Sequence, residues 1–374
     1  MNQQTYRNIV SGQARGVGAT ITRLSLRGLS WPYGAVVRMR NGLYSQGWLT
    51  AHTAEVPVIS VGNLTAGGTG KTPLVAWLAN YLRSKSLRVA VLTRGYKARE
   101  TVDTARPATD EPAELAAMCP EVPVVIDPDR VAGAAEAVRN HGAQVLLLDD
   151  GFQHRRLARD LDILTIDATL PFGYGKLLPA GLLREPLAGV ARAHAAVLTR
   201  CDQATDDERL RIEERLRHIN DKLVVATSVH APVSAAVEQG NSIDLPELRN
   251  KRVFGFCGIG NPQAFFGTLQ RLGCVLVGSH GFDDHYHYTD RCLREVHEKA
   301  KQCGAELVVT TQKDWTKIAH LPRPAREPRF ACLTIKLELR QGAAEFTALI
   351  ERTLVDRIRL LQRSGRQEAS RSDK

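Results

Sequence analysis

The sequence predicts an α/β fold of the P-loop NTPase type, with a mostly parallel sheet and helices on both faces. Three observations predict it. Short β-branched runs alternate with helix-like segments along most of the 374 residues. A glycine-rich loop follows the first of these runs and leads into a helical segment. The chain is also longer than one ordinary core accommodates, so we expect a second, smaller α/β domain. The first 50 residues are basic, and we expect an N-terminal helix there.

A phosphate-binding loop is the most specific feature of the sequence. It reads Thr65-Ala66-Gly67-Gly68-Thr69-Gly70-Lys71-Thr72 and follows a predicted strand at 56–61. It departs from the pattern GxxxxGK[ST] only at its first position, where Thr65 replaces glycine. Its glycines can still turn several backbone N–H groups toward an anion at the helix N-terminus. By this pattern, Lys71 reaches the β- and γ-phosphates and the Thr72 hydroxyl holds Mg²⁺.

A second motif supplies acids for the metal. The apolar run at 145–148 predicts a buried strand that leads directly into Asp149 and Asp150. Such a strand is the usual partner of a phosphate loop, because its terminal carboxylate holds Mg²⁺ beside the phosphates. Adjacent residues point to opposite sides of a strand. We therefore expect one carboxylate at the metal and the other toward nucleotide or acceptor, and the sequence does not decide which is which.

Four segments are predicted along the chain. Residues 1–50 form a basic amphipathic leader that associates with membranes, and 51–230 form the P-loop domain. Residues 231–360 form the second α/β domain, because a new βα series begins near residue 253. The tail at 361–374 has too few apolar residues to form a core and is predicted to be disordered.

The positive charge is concentrated at the two ends of the chain. The net charge is +10, and residues 1–50 hold six arginines and no acid. The body is close to neutral, which argues against a nucleic-acid partner and favours an anionic surface touched by the ends. A helix that lies in a membrane interface is suggested by helical spacing in the leader at Tyr33, Val36, Val37, Arg40 and Tyr44, with Trp31 and Trp48 flanking. A leader that simply packs on its own domain is the alternative.

Four classes of P-loop protein compete at this point. Dimerising ATPases of the partitioning and nitrogenase-iron type carry a signature lysine where this chain has Ala66. A GTPase needs an NKxD-like guanine reader, and the segment Thr311-Gln312-Lys313-Asp314 lacks the asparagine. A non-enzymatic nucleic-acid binder needs basic and aromatic residues through its body. A kinase for a membrane-bound or small anionic acceptor fits the loop, the basic leader and the second domain.

Several short motifs follow one another in an order that is typical of a single family. The phosphate loop is preceded by Val61-Gly62-Asn63-Leu64, and the acids open the hexapeptide Asp149-Asp150-Gly151-Phe152-Gln153-His154. Further matches lie at 92–96, 110–112, 178–181, 183–186, 284–288 and 311–314. Together these motifs resemble the tetraacyldisaccharide 4′-kinase, or lipid A 4′-kinase, family. They span residues 21–335.

Five positions depart from the pattern of that family. Thr109 replaces a glycine, Leu182 and Asp283 replace prolines, Tyr174 replaces an asparagine and Gln312 replaces a glutamate. Most of them neighbour the groups that carry the chemistry rather than being those groups. The departures therefore bear on local geometry and leave the assignment standing.

The resemblance implies a reaction and the residues that perform it. The family transfers the γ-phosphate of ATP to the 4′-hydroxyl of a tetraacylated glucosamine disaccharide 1-phosphate, which gives lipid IV-A. Asp110 is expected to take the hydroxyl proton with the assistance of His285, which Asp284 would orient. Arg184 is expected to bind either the transferred phosphate or the 1-phosphate of the acceptor. ATP and Mg²⁺ are the implied cofactors, held by the phosphate loop and the two acids.

The same resemblance implies where the chain works. The lipid A disaccharide precursor and an anionic membrane surface are the expected partners, nucleic acid is not, and a monomer is expected. The family is peripheral on the cytoplasmic face of the bacterial inner membrane. Basic residues near such a surface contribute about 1 kcal/mol each, so several arginines suffice for reversible docking. The alternative function is a P-loop switch ATPase at the membrane surface.

Overall fold

The computed structural model describes residues 3–95, 110–237, 242–284, 286–322 and 327–372. It divides into two compact units. The phosphate-loop unit consists of Ile9–Val229 and Glu338–Lys374, and the second unit of Met1–Asn8 and His230–Leu337.

A parallel sheet lies at the centre of the phosphate-loop unit, in the order β7-β6-β5-β1-β4-β2-β3. Each neighbouring pair is parallel, so the carboxyl ends of the strands share one edge. β1, β4, β5 and β6 are buried throughout, as expected for a sheet covered on both faces. The strands are β1 (Val58–Gly62), β2 (Val89–Thr93), β3 (Val124–Ile126), β4 (Val145–Asp149), β5 (Leu161–Asp167), β6 (Ala195–Thr199) and β7 (Val224–Val237), whose first residues belong to this unit.

Local sequence signals fix several helix ends. Asp129 caps one helix by accepting from the Val131 N–H, and Gly142 ends that helix in a left-handed conformation with φ 58°. Thr205 and Glu208 form a reciprocal capping box at the start of another. The helices up to this point in the chain are α1 (Gln3–Ser11), α2 (Val17–Ser45), α3 (Lys71–Ser84), α4 (Asp110–Met118), α5 (Arg130–His141) and α6 (Asp206–Ile219).

The second unit has its own set of strands and its own core. Its parallel strands lie in the order β10-β9-β11-β12, and β8 pairs antiparallel with the later residues of β7. A cluster of aromatic rings around Phe256 fills part of its core, with Phe282, Tyr288 and Phe330 packed edge-on. The elements are β8 (Ser242–Asp244), β9 (Arg252–Cys257), α7 (Pro262–Arg271), β10 (Val275–Gly281), α8 (Asp290–Gln302), β11 (Leu307–Thr311), α9 (Gln312–Ile318) and β12 (Arg329–Leu339).

The C-terminal helix α10 (Ala343–Ser372) belongs to the phosphate-loop unit. The chain returns there because the Thr227 N–H donates to the Gln341 carbonyl at 2.9 Å. Buried residues four apart, such as Phe346 and Ile350, then seat the helix, and the Phe346 ring lies 6.1 Å from that of Trp77 on α3.

The division of the chain therefore differs from the predicted segments at both ends. Most of the leader at 1–50 lies in the phosphate-loop unit, and so do residues 338–360, which were assigned to the second domain. The tail at 361–374, predicted to be disordered, continues α10 as far as Ser372. Its Arg, Gln, Glu and Ala residues are good helix formers, so a helix extends there without an apolar face. In the part of the chain that the structure describes, no helix is long and apolar enough to cross a membrane.

Candidate active site

The sheet brings the phosphate loop and the two acids to the same edge. β1 and β4 are adjacent, and Val61 pairs with Asp149 at their carboxyl ends. The loop leaves β1 at this edge and leads into α3. Open parallel sheets bind ligands outside the carboxyl ends of their strands, so this is where a site is expected.

The loop backbone is shaped to receive an anion. Gly67 and Gly70 have φ of 120° and 84°, which glycine adopts far more readily than other residues. A Cβ built on Gly68 would have nothing within 4 Å, so the loop is open there. No side chain among the described residues caps α3 at Gly70. The N–H groups of the first turn are therefore available to phosphate oxygens.

Side chains from β5 and β6 support the loop from beneath. The Thr69 hydroxyl lies 2.8 Å from the Thr165 hydroxyl, and the Thr199 hydroxyl donates to the Thr69 carbonyl at 2.8 Å. The Arg200 guanidinium donates to the Gly68 carbonyl at 3.0 Å and is paired with Asp167. These bonds tie the carbonyls of Gly68 and Thr69 to the side chains beneath the loop, which leaves the loop N–H groups for a ligand.

Asp150 joins the two cations that the sequence assigned to the phosphates. Its carboxylate lies 3.5 Å from Lys71 Nζ and accepts from Arg184 Nη1 at 2.8 Å. Burial raises the pKa of Asp150, but Lys71 and Arg184 outweigh that effect and hold the pKa below its usual range. Asp150 adopts φ 53°, which directs the chain out of β4 toward these partners. The fold thus gathers Lys71, Asp150 and Arg184 into one ion cluster beside the loop.

Asp149 occupies a different environment from its neighbour. It is only 2% exposed, at the end of β4. The buried side chain of Arg130, the first residue of α5, lies close enough for its charge to interact with Asp149 and Asp150. Burial lowers the pKa of the Arg130 guanidinium, and the Asp149 carboxylate opposes that shift. Asp149 is thus buried at the end of β4, whereas the Asp150 side chain is 35% exposed beside the loop.

The residues assigned to proton transfer are less fully described. Asp110 is the first residue of α4, and its side chain lies outside the described residues, as does all of His285. In the second unit, Lys313 Nζ donates to Asp284 at 3.0 Å, so an ion pair anchors the residue next to His285. Asp314 is fully buried and accepts from the Gly258 N–H and the Thr311 hydroxyl, which gives it a structural task in α9.

The family model for LpxK, tetraacyldisaccharide-1-P 4′-kinase, matches residues 22–355. The chain belongs to the LpxK family.

Curated relatives and a solved structure agree with the family model. A tetraacyldisaccharide 4′-kinase of Syntrophotalea carbinolica is 40% identical over 325 residues, covering 83% of this chain and 86% of the relative. One from Anaeromyxobacter sp. (strain Fw109-5) is 43% identical over 315 residues, covering 81% and 84%. The crystal structure of Aquifex aeolicus LpxK in complex with ATP superposes with a TM-score of 0.69 at 31% identity, covering 89% of this chain and 99% of that one. The predicted P-loop fold is confirmed.

The motifs of this LpxK chain did not single out several residues that shape the site. Glu185 lies in the matching segment 183–186 but had no predicted role. Arg130, Thr165 and Arg200 were not among the predicted site residues. Arg130 follows the sequence Asp127-Pro128-Asp129 at a helix start, and Arg200 follows a buried strand. A charged residue at the carboxyl end of a parallel strand was the available signal for Arg200. No comparable signal marked Thr165, because it resembles any buried strand residue.

The residues present suit a magnesium nucleotide. Thr72 in the first turn of α3 and a carboxylate at the end of β4 offer the hard oxygen ligands that Mg²⁺ prefers. Among the described residues, no group of three or more His, Cys, Asp or Glu side chains forms a metal cage of its own. Mg²⁺ commonly keeps waters and phosphate oxygens as ligands, so a sparse protein donor set fits it.

Proposed function

We propose that this chain is the ATP-dependent kinase that phosphorylates the 4′-hydroxyl of tetraacyldisaccharide 1-phosphate, forming lipid IV-A in lipid A biosynthesis. The observation that carries the proposal is the match to the LpxK family over residues 22–355. The geometry supports it, because Lys71 and Arg184 converge beside an open phosphate loop.

The transfer requires one bond to form and one to break. The acceptor 4′-oxygen bonds to the γ-phosphorus as the bond to the β,γ-bridging oxygen breaks, and ADP leaves. ATP supplies the phosphoryl group; Thr72 with Asp149 or Asp150 would hold Mg²⁺, which would supply neutralising charge when bound. Lys71 and the loop N–H groups hold the phosphates, and the Arg184 guanidinium stabilises charge on the transferred group or binds the 1-phosphate of the acceptor.

Asp110 and His285 are proposed to manage the proton. Asp110 accepts the proton of the 4′-hydroxyl, and His285 supports the carboxylate in that task. The ion pair of Asp284 with Lys313 supports this proposal, because it ties the residue before His285 to α9.

Substitution of both residues tests the proton assignment. Asp110→Asn and His285→Gln should each lower kcat on the order of a hundredfold, because general base catalysis typically contributes this much. ATP affinity should change little in both. Glu114→Gln, one turn further along α4 and outside the family motif, is the matched control. Near-normal turnover of both variants would contradict the assignment.

We also propose that α2 docks the enzyme on the cytoplasmic face of the inner membrane. Ile21, Leu24, Trp31 and Met39 are exposed along one side of the helix, with Trp31 83% exposed. Exposed arginines at 27 and 38 flank this side, and residues 1–50 hold no acid. An apolar stripe flanked by arginines matches the chemistry of an anionic lipid surface. This location suits an acceptor that is itself a membrane lipid.

The competing function is a P-loop switch ATPase at the membrane surface. The two are separated by measuring ATP consumption with and without disaccharide 1-phosphate in detergent micelles. A kinase should consume ATP in step with lipid phosphorylation, and Lys71→Ala should abolish both. ATP hydrolysis that ignores the acceptor would favour the switch ATPase.

A further inference from the structure

The segment that carries Arg184 is fixed on one side by the phosphate loop. This segment, residues 173–185, is called the arginine loop here. The Ala66 N–H donates to the Leu182 carbonyl at 2.7 Å, and the Arg184 N–H donates to the Leu64 carbonyl at 2.7 Å. Thr65 and Leu183 form a bridge between these two bonds. The backbone of Arg184 is therefore hydrogen-bonded directly to the loop that would hold ATP.

Helix α2 holds the other side of the arginine loop. The Ser30 hydroxyl accepts from the Ala180 N–H at 3.0 Å, and it lies 3.0 Å from both the Leu177 carbonyl and the Leu26 carbonyl of its own helix, which share its proton. One turn later, the Tyr33 hydroxyl donates to the carbonyl of Arg184 itself at 2.7 Å. These residues share one face of α2 because they lie three apart.

Gly34 allows the helix to approach so closely. It is buried, and a Cβ there would stand 2.8 Å from Leu177 Cδ1. A larger residue there would require the end of the Leu177 side chain to shift within the contact between α2 and the arginine loop.

The next turns of the same face reach a buried carboxylate. Glu185 is 0% exposed and accepts from Asn41 Nδ2 at 3.1 Å and from Arg192 Nη2 at 2.8 Å. It also accepts from Gln153 Nε2 at 2.8 Å, and the same Gln153 amide donates to the Asn63 carbonyl at 2.8 Å. Buried bonds to a charged acceptor are strong and directional. Asn41 thereby links α2, through Glu185 and Gln153, to the strand end that precedes the phosphate loop.

The two faces of α2 have different tasks. The residues that bind the arginine loop, at 30, 33, 34 and 41, follow helical spacing on one side. The exposed apolar residues Ile21, Leu24, Trp31 and Met39 lie on the opposite side. Tyr33 and Val37, which the sequence spacing placed on the membrane stripe, instead face the protein, because Tyr33 bonds Arg184 and Val37 is buried. The helix that would lie on lipid is thus the helix that holds the Arg184 backbone.

We propose that Tyr33 and Asn41 are positioning residues that set the location of Arg184 for phosphoryl transfer. Neither side chain needs to touch ATP or the lipid, since Tyr33 acts on the Arg184 carbonyl and Asn41 on Glu185. The proposal rests on the proposed kinase function. It predicts that losing either contact slows transfer while ATP binding persists, because the bonds of the phosphate loop to β5 and β6 remain.

The test uses the full chain in mixed micelles with ATP, Mg²⁺ and disaccharide 1-phosphate. Tyr33→Phe should lower kcat by about threefold to tenfold, the effect of one lost hydrogen bond, with the KM for ATP within about twofold. Asn41→Leu should act in the same direction. Tyr81→Phe is the matched control, because Tyr81 lies at the far end of α3 and its hydroxyl also donates over 2.7 Å, to Glu351 on α10. That control should keep normal turnover, and thermal unfolding of all variants reports their folding.

A double variant tests whether Tyr33 acts through Arg184. In an Arg184→Lys background, Tyr33→Phe should cost little further turnover, because residues that act as a unit are not additive. The proposal is overturned if Tyr33→Phe and Asn41→Leu keep normal kcat, if ATP affinity falls as much as kcat, or if the full loss persists beside Arg184→Lys. An unsubstituted chain that fails to phosphorylate the lipid would instead overturn the proposed function.

Discussion

The Asp150 carboxylate is ion-paired with the two cationic side chains that are expected to bind phosphate. Lys71 and Arg184 both pair with it, and their charges keep its pKa below the usual range. ATP entering the loop must therefore share these cations with a carboxylate. This makes Asp150 a test of how charge is arranged for transfer.

Asp150→Asn should separate binding from chemistry. Removing the negative charge leaves Lys71 and Arg184 free to attract ATP, so its Kd should stay the same or fall. Turnover should drop on the order of a hundredfold, because the charges no longer have their transfer geometry. Calorimetric titration with ATP and a lipid kinase assay measure the two effects. Asp160→Asn, whose partner Arg357 lies on α10, is the matched control. Weaker ATP binding with normal kcat would contradict this account.

His154 should make stability depend on pH. Burial, with Arg130 and Arg159 nearby, lowers its pKa to about 4, whereas an unfolded histidine titrates near about 6.5. Between these values the unfolded chain binds the proton and the folded chain does not. Stability should therefore be full above about pH 6.5 and decline as the pH falls toward 4. Melting temperatures from pH 7.5 to 5 should fall more steeply for the unsubstituted chain than for His154→Gln. Parallel curves would show that His154 is not the cause.

The residues of the candidate site differ in how far the sequence alone predicts them. The glycines and Lys71 were predicted because a phosphate loop needs those types in that order, and the acids because they end an apolar strand. Tyr33 and Glu185 were beyond that reasoning. Tyr33 and its partner Arg184 are 151 residues apart in the chain, and Glu185 and its partner Asn41 are 144 residues apart. Local pattern carries no information about which side chains meet over such separations.

Helix α2 is the element whose role can be measured separately from catalysis. Deleting residues 1–30 should reduce sedimentation with anionic vesicles more than it reduces ATP affinity. The deletion removes the Ser30 contacts with the arginine loop, but the phosphate loop keeps its bonds to Thr165, Thr199 and Arg200. Sedimentation with phosphatidylglycerol vesicles and nucleotide titration give the two values.

Point substitutions refine the same prediction. Ile21→Ser, Leu24→Ser and Trp31→Ser together should weaken vesicle binding by about tenfold or more, given the apolar area that each side chain would bury. Leu210→Ser with Val355→Ser removes exposed apolar side chains away from α2 and should leave binding unchanged. Equal sedimentation of both sets would refute docking by this face.

Elements were predicted where period and caps agreed. The strands at β1, β4 and β6 follow apolar runs, and α5 follows a capping acid and ends at Gly142. The helical tail beyond residue 360 was missed, since its composition suggested no packing partner while its residues favour a helix. Helix propensity favoured a helix in this tail, whereas the shortage of apolar residues to bury favoured disorder. The prediction rested on the second signal.

The whole chain was predicted as two α/β parts with a boundary near residue 230, and the structure divides at Val229. The return of residues 338–372 to the first unit was not foreseen. It depends on the pairing of Thr227 with Gln341, which are 114 residues apart, and on apolar residues of α10 meeting α3. Chain order suggested that consecutive segments stay in the same unit. Hydrogen bonds between Thr227 and Gln341 instead bring α10 back to the first unit.

The most direct measurement of the central claim is where the γ-phosphate of ATP goes. Purified chain is incubated with labelled ATP, Mg²⁺ and disaccharide 1-phosphate in micelles, and the lipid product is mapped by proton–phosphorus NMR, with Lys71→Ala as the inactive control. We predict that label enters the lipid once per ADP formed and lies on the 4′-oxygen, in a product that carries two monophosphates. Label appearing as free phosphate, or on any other position of the disaccharide, would contradict the account.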